Sequence, residues 1–145
     1  METIIKAQNI TKSYKMGKST LEVLRGANLS VNKGEFVAVI SASGSSKSTL
    51  LHILGALDKP DSGSVHYQDQ CLDRWRWGKL NHFRNKVVGF VFQVYHLLDE
   101  LTVLENAMAP AMASVSTVGW PALKPKVQER AYGLLERFGL KDRLK

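Results

Sequence analysis

The sequence predicts an α/β fold, and the pattern of its apolar residues is the reason. One apolar run, residues 36–40, leads through a serine-rich turn into a stretch with helical spacing of apolar residues between 50 and 57. A second run, residues 87–92, is continuously apolar, β-branched or aromatic, which is typical of a strand buried on both faces. Buried strands with a helix between them indicate a mixed α/β domain.

Turn residues before and after the first apolar run predict the bounds of the neighbouring strands and helices. Strands are predicted at 3–10 and 22–31, with a turn at 15–18 between them and another at 32–35. After the helix, Pro60 and Gly63 predict a stop and then a short strand at 64–67. The polar stretch that follows predicts a helix over 74–85.

The last third of the chain predicts helices. Thr102 and Glu105 fit a capping box, which opens a helix that runs toward Pro110. Residues 111–125 are rich in serine, glycine and proline and predict a loop. A final helix is predicted from the apolar face formed by Val127, Ala131, Leu134, Leu135 and Phe138. Gly139 stands at its expected C-terminal cap.

Composition limits the class of protein. The chain has 145 residues, enough for one domain or part of a larger one, and its 44% hydrophobic and 23% charged residues predict a soluble globular protein. It has no apolar run of about 20 residues and no secretion signal at its start, so we expect a cytoplasmic location. Its single cysteine, Cys71, cannot form an internal disulfide and lacks the spacing of a zinc site.

The net charge of +7 is concentrated in part between residues 74 and 86. Five basic residues alternate there with Trp75, Trp77 and Phe83. Such a pattern occurs in surfaces that bind nucleic acid or membranes. It also occurs in solvated helix faces anchored by a few rings, and the sequence favours that second interpretation.

The turn at 41–49 is the main candidate for a functional site. It compares with the phosphate-binding pattern G-x-x-x-x-G-K-[ST], but Ser41 and Ser46 stand at the glycine positions, while Lys47 and Ser48 are retained. A strand that feeds a helix N-terminus presents backbone N–H groups and a positive dipole to an anion. Lys47 would then neutralise phosphate and Ser48 would hold Mg²⁺. A polar strand-to-helix turn without a ligand is the alternative.

Several spaced motifs together resemble the nucleotide-binding subunit of ATP-binding-cassette (ABC) transporters, closest to the lipoprotein-releasing and macrolide-export branch. The resemblance runs from Thr3 to Lys145. The motifs are Ile10-Thr11-Lys12-Ser13-Tyr14, Lys33-Gly34-Glu35, the turn at 41–49, Asp61-Ser62-Gly63, Phe90-Val91-Phe92-Gln93, Leu97-Leu98 and Leu101-Thr102-Val103-Leu104-Glu105-Asn106.

The resemblance implies a fold and a site. The fold is the N-terminal part of a P-loop NTPase of ABC type: an antiparallel β subdomain, a strand, loop and helix of Walker A type, and the start of a helical subdomain. An ATP-binding core would cover about residues 1–95 and the helical part about 96–145. Tyr14 would stack on the adenine of ATP. The phosphates and Mg²⁺ would be bound by Ser41, Ser43, Gly44, Ser45, Ser46, Lys47, Ser48 and Thr49. Ser48 and Gln93 would be the metal ligands.

The resemblance also implies partners. Gln93 would reach the attacking water and would pass the nucleotide state to a membrane permease. The permease would dock near the segment from His96 to Leu104. A homodimer is expected of the full-length family, peripheral to the inner face of the cell membrane. Asp99 and Val94 depart from the family pattern, which has proline and an aromatic residue there.

Two features predict weak activity. Serine at a left-handed position costs about 1–2 kcal/mol, so two such positions would weaken ATP binding about thirty-fold to a thousand-fold. The family's signature, Asp-Glu strand and switch histidine are not in the sequence, so the chain is expected to be about two thirds of such a subunit and not hydrolytic alone. The alternatives are a non-catalytic permease-docking protein, a basic nucleic-acid-binding domain and a small-molecule kinase.

Overall fold

The computed structural model describes residues 2–40 and 44–144, and of residues 44 and 45 the backbone only. The chain packs as two compact units, Met1–Val88 and Gly89–Lys145. In the described residues the first unit holds an antiparallel sheet with two α-helices, and the second holds two further α-helices.

A four-stranded antiparallel sheet is the frame of the first unit. Its strands are β1 (Thr3–Met16), β2 (Ser19–Asn32), β3 (Ser62–Tyr67) and β4 (Gln70–Cys71), in the spatial order β2-β1-β3-β4. β1 and β2 form a long hairpin through Gly17, whose φ of +62° suits a residue without Cβ. The predicted antiparallel subdomain is confirmed, with its first two strands longer than the sequence indicated.

Gly63 allows β3 to approach β1 closely. Its φ is +90°, and a Cβ at this position would lie 2.5 Å from the carbonyl oxygens of Gln8 and Asn9. The contact falls where the β1–β3 register shifts between Gln8 and Thr11. Gly63 therefore does more than end the preceding turn, because the sheet cannot close around a larger residue here without moving backbone.

The first helix, α1 (Gly44–Leu54), covers the sheet. Its Leu50, Ile53 and Leu54 are buried together with residues of β1, β2 and β3 in one apolar core. Leu51 and Leu57, which share the predicted helical spacing, are about half exposed. The helix is thus amphipathic, with a narrower buried face than its apolar residues suggested.

A second helix closes the other end of the core. A short 3-10 turn at Leu72–Arg74 precedes α2 (Trp77–Lys86), so the helix predicted over 74–85 begins later than expected. The rings of Tyr67, Trp75 and Phe83 form a cluster, with centroids 5.0 Å apart for Tyr67–Phe83 and 5.6 Å for Trp75–Phe83. These rings join β3 to α2 through edge and tilted contacts.

The two predicted buried strands at 36–40 and 87–92 are wrong for this structure. All of these residues are described, and none is part of a strand. Phe36 and Val91 are fully exposed, and Ile40 is 92% exposed. A continuous apolar run signals a strand with neighbours on both sides. In the described residues the sheet is built from other segments, so these runs have no ladder to join.

The second unit is helical. Its helices are α3 (Val103–Met112) and α4 (Trp120–Arg137), which pack on each other and bury Met108, Ala131 and Leu135. The capping box is confirmed: the Thr102 hydroxyl accepts from the Glu105 backbone N–H, and the Glu105 carboxylate accepts from the Thr102 backbone N–H.

The ends of α4 test the remaining predictions. The loop predicted over 111–125 is wrong in its second half, because α4 already begins at Trp120. Pro121 lies in the first turn, where its missing N–H has no intrahelical partner to lose. Gly139 caps the other end as predicted, with φ +71° and with Leu140 N donating to Leu135 O at 2.9 Å. Phe138, placed on the apolar face, is 77% exposed.

Candidate functional site

The start of α1 carries the retained residues of the phosphate-binding pattern. Gly44 is the first helical residue, so Lys47 and Ser48 lie at the end of the first turn, whose leading backbone N–H groups lack intrahelical acceptors. No acidic side chain occupies the first turn of α1. The Ser48 side chain is exposed, Lys47 is partly buried and Thr49 is buried. This end of α1 has the charge and donors to receive an anion.

The rest of the predicted loop is only partly described. Ser41 and Ser43 lie outside the described residues, and so does the side chain of Ser45. Ser46 is described as a partly buried helical residue, so the left-handed conformation considered for it is wrong for this structure. The predicted roles of these residues stay predictions.

Tyr14 lies near the end of β1, opposite Leu21 of β2. Its side chain is 39% exposed, and its hydroxyl donates to Oδ2 of Asp58 at 2.8 Å. The ammonium group of Lys12 lies 5.2 Å from the centroid of the ring. Burial raises the pKa of Tyr14, and the hydrogen bond to Asp58 raises it further.

Asp58 is the centre of a small polar network after α1. Its Oδ1 accepts from Lys12 Nζ at 2.9 Å and from the backbone N–H of Lys59 at 2.7 Å. Burial alone would raise the pKa of Asp58, but the hydrogen bonds from Lys12 and Tyr14 outweigh it and hold the pKa below its usual value of 3.8. Desolvation opposes the charge of Lys12 as well, and the bond to Asp58 outweighs it, so the pKa of Lys12 is raised.

Sequence reasoning missed Asp58, which lies two residues before Pro60 in the predicted helix stop. Lys12 and Tyr14 are two residues apart on a strand and therefore share a face of β1. A carboxylate just beyond a helix that covers the sheet was the available signal. The pairing itself depends on the return of the chain from α1 to β3, which local sequence does not define.

Gln93 belongs to the second unit, and its side chain is exposed. The strand expected to lead into it is absent from the described residues around it. The ring of Phe92 instead stacks on Phe90 at 5.4 Å and meets His96 edge-on at 4.8 Å. The predicted contact of Gln93 with metal and water stays a prediction.

The segment expected to dock a permease is organised by Asn106. The Asn106 amide oxygen accepts from Leu98 N at 2.9 Å, and its NH₂ group lies 3.0–3.1 Å from the carbonyl oxygens of Leu98, Leu101 and Thr102. Leu97 and Leu98 are 62% and 53% exposed. One side chain thus fixes an exposed apolar turn, a role that sequence reasoning did not assign to it.

Most of the aromatic rings in the basic segment at 74–86 pack against other residues of the first unit. Phe83 is buried, and Trp75 contacts Phe83 on its edge while Lys79 Nζ lies 4.0 Å from its centroid. Trp77 is 73% exposed, with the Arg84 guanidinium 5.2 Å from its centroid. These contacts agree with a helix face anchored by rings, the interpretation that the sequence favoured.

The described residues offer enough oxygen ligands for Mg²⁺ only when phosphate is bound as well. No group of three or more His, Cys, Asp or Glu side chains in the described residues has a metal-site arrangement. Mg²⁺ at nucleotide sites is held by one or two protein oxygens together with phosphate oxygens and water. The exposed hydroxyl of Ser48 at the start of α1 fits that requirement.

The antiparallel sheet, with a helix that begins in a lysine-serine turn, defines the N-terminal part of an ABC-type nucleotide-binding domain. The ABC transporter family model matches residues 24–145, and this chain belongs to that family. Solved structures agree. The dimeric post-hydrolysis state of the ATP-binding cassette MJ0796, bound to ADP and Pi, matches with a TM-score of 0.79 and 34% identity, over 97% of this chain and 60% of that chain. The predicted fold class is confirmed.

Curated relatives agree with the resemblance to the lipoprotein-releasing branch. The lipoprotein-releasing system ATP-binding protein LolD of Saccharophagus degradans is 41% identical over 141 residues, which is 97% of this chain and 59% of the relative. LolD of Legionella pneumophila (strain Paris) is 43% identical over 99% of this chain and 60% of its own length. The uncharacterized ABC transporter ATP-binding protein YvrO of Bacillus subtilis is 43% identical, over 94% of this chain and 57% of its own.

The resemblance to the lipoprotein-releasing branch is confirmed by these relatives. The chain spans about 60% of the length of the relatives it matches. In the described part of the chain, no helix combines the length and the apolar character needed to cross a membrane.

Proposed function

We propose that this chain provides the ATP-binding part of an ABC transporter subunit that couples ATP binding and hydrolysis to lipoprotein release or export. The start of α1 carries the proposal, because it presents Lys47, the Ser48 hydroxyl and backbone donors together, with no acidic residue in its first turn. The similarity to the LolD subunits supports the choice of cargo class.

Each described group has a defined task in this proposal. Backbone N–H groups at the start of α1 and the Lys47 ammonium receive the phosphates. The Ser48 hydroxyl is a ligand for Mg²⁺, which when bound neutralises charge on the phosphates. The ring of Tyr14 stacks on adenine, whose π face suits an aromatic partner. Gln93 keeps the role of metal ligand and water-positioning residue that the resemblance implies.

The partners follow from the same family. A membrane permease docks on residues 96–104, where Leu97 and Leu98 present exposed apolar side chains. The full-length subunit forms a homodimer, as the MJ0796 cassette does in its dimeric structure, and lies at the inner face of the cell membrane. The chain alone binds ATP weakly, because Ser41 and Ser46 replace glycines, and it does not hydrolyse ATP by itself.

Restoring the glycines tests the proposal. We expect the double substitution Ser41→Gly and Ser46→Gly to tighten binding of a fluorescent ATP analogue by about five- to thirty-fold, since a left-handed serine at position 41 would cost about 1–2 kcal/mol while Ser46 is helical. The matched control is Ser41→Ala with Ser46→Ala, which removes the hydroxyls but keeps Cβ, and we expect it not to tighten binding. Lys47→Ala in the glycine background should abolish the gain. A glycine variant that binds no ATP at all would contradict the proposed function.

A further inference from the structure

We propose that Asp58 is a positioning residue that holds the ring of Tyr14 ready for the base and ties it to α1, the helix that carries Lys47 and Ser48. The inference rests on the proposed function, in which Tyr14 stacks on adenine. It assigns a role in nucleotide recognition to a residue outside the phosphate-binding pattern.

The carboxylate of Asp58 is itself held rigidly. Three donors reach it: the Tyr14 hydroxyl at 2.8 Å, the Lys12 ammonium at 2.9 Å and the Lys59 backbone N–H at 2.7 Å. Lys12 also donates to the carbonyl oxygen of Lys59 at 2.6 Å. A carboxylate with several donors has a defined orientation, so its bond to Tyr14 defines the position of the phenol oxygen.

Asp58 lies four residues beyond α1 and is bonded to its last turn. Its backbone N–H donates to the carbonyl oxygen of His52 at 3.3 Å, and the Leu57 N–H donates to the same oxygen at 2.8 Å. The side chain of Thr49, on the same helix, also makes a hydrogen bond with the Tyr14 side chain. The Tyr14 ring is therefore attached to α1 at two points, and Lys47 lies two residues before one of them.

The Tyr14 ring stays accessible to a base although its hydroxyl is bonded to Asp58. The Tyr14 side chain stays 39% exposed, and the Lys12 ammonium lies 5.2 Å from its centroid. An aromatic ring that is already fixed loses less freedom when a base stacks on it. Immobilisation of one side chain changes affinity by about two- to tenfold, which sets the size of the effect.

The contact with Tyr14 is separable from general support of β1. Asp61, three residues after Asp58, accepts from both the backbone N–H and the hydroxyl of Ser13 at 2.7 Å, and its own N–H donates to Thr11 O at 2.9 Å. The strand next to Tyr14 is thus anchored without Asp58. Removal of Asp58 should release the ring while the strand stays in place.

The test compares two ligands on one parent, the full 145-residue chain with Ser41→Gly and Ser46→Gly. Calorimetric titration with ATP reports base and phosphate binding together, and titration with inorganic tripolyphosphate reports phosphate binding alone. We expect Asp58→Ala to weaken ATP binding by about three- to tenfold and to leave tripolyphosphate binding within about twofold. Asp58→Asn, which keeps an acceptor for the hydroxyl, should restore ATP binding.

Two more variants make the result specific. Tyr14→Phe keeps the ring and removes the hydroxyl with its bonds to Asp58 and Thr49, so it should lose at least as much as Asp58→Ala, and the double variant should lose no more than Tyr14→Phe alone. Tyr14→Phe also carries the test if Asp58→Ala does not fold, as circular dichroism would show. The control is Asp61→Ala, which loosens the same loop but leaves the Tyr14 hydroxyl bonded, and it should leave the ratio of ATP to tripolyphosphate affinity unchanged.

The outcomes separate this inference from the proposed function. A parent that binds tripolyphosphate but not ATP, or neither ligand, overturns both. A parent that binds ATP as tightly as its Asp58→Ala and Tyr14→Phe variants overturns the role of Asp58 alone. An equal loss of both ligands on Asp58→Ala also overturns it, because the effect would then lie in the helix and not in the ring.

Discussion

The guanidinium group of Arg84 donates from Nη1 to the carbonyl oxygen of Ala56 at 2.9 Å, which joins α2 to the turn after α1. Ala56 has φ +57°, a left-handed conformation that ends the helix. Arg84 also donates to the Asn81 side chain and lies over Trp77. One side chain therefore satisfies a carbonyl beyond the helix end and fixes the position of α2 on the core.

We expect Arg84→Met to lower the free energy of unfolding by about 1–3 kcal/mol, because it leaves the Ala56 carbonyl without this donor in a partly buried place. Urea unfolding followed by tryptophan fluorescence measures the loss. The matched control is Arg76→Met, at an exposed N-cap with no side-chain capping bond, which should change stability by less than about 0.5 kcal/mol. Equal losses for the two variants would contradict the role of Arg84.

Gly63 offers a test of close backbone packing. Gly63→Ala places Cβ 2.5 Å from two backbone oxygens at a φ of +90°, and we expect it to cost about 3 kcal/mol or more. Gly26→Ala is the matched control: its φ is +78°, but nothing lies within 4 Å of the added Cβ, so only the conformational cost of about 1–2 kcal/mol applies. Thermal unfolding of both variants measures the difference, and similar costs would show that the contact with β1 yields easily.

The contact of Lys12 with Asp58 predicts loss of stability in acid. The pKa of Asp58 is lower in the folded chain than its ordinary value of 3.8, so the ionised form favours folding. The stabilisation is present above that value and is lost as the pH falls through the folded pKa. Thermal unfolding from about pH 6 to about pH 3 should show a smaller acid loss for Asp58→Asn than for the parent. The same acid loss in both would contradict the assignment.

Predictions from the sequence were most reliable for features that depend only on residues close together in the chain. The capping box at Thr102 and the cap at Gly139 depend on residues close in sequence, and both form as predicted. The apolar runs at 36–40 and 87–92 predicted strands that need partners from elsewhere in the chain, and the described residues supply none. An apolar pattern indicates that a segment is suited to burial. Whether the segment pairs with neighbouring strands depends on the whole sheet.

The candidate site divides in the same way. Lys47 and Ser48 could be found from a pattern of neighbouring residues, and the structure places them at a helix start. Asp58 meets Tyr14 across 44 positions of sequence, and no local pattern indicates that contact. Tyr14 was identified only through a family resemblance, since a tyrosine at a strand end is common in any protein.

Asn106 shows how one side chain can organise the proposed docking segment. Its amide accepts from the backbone N–H of Leu98 and donates toward carbonyl oxygens on the same turn, so it substitutes for secondary structure there. Leu98 is exposed, and solvent would otherwise compete for its backbone groups. The turn thus holds apolar side chains toward solvent in a fixed arrangement, which suits a binding surface better than a mobile loop.

We therefore expect Asn106→Ala to speed amide hydrogen exchange at Leu98 by about fivefold or more, because a hydrogen bond of about 1 kcal/mol is lost directly at that amide. Exchange in α4 should not change, since Asn106 is bonded only to the turn and to Thr102 in the described contacts. Thr102→Ala is a useful comparison, because it weakens the start of α3 through the capping box and should speed exchange at Glu105 more than at Leu98. Unchanged exchange at Leu98 in the Asn106 variant would mean that the turn keeps its shape without the amide.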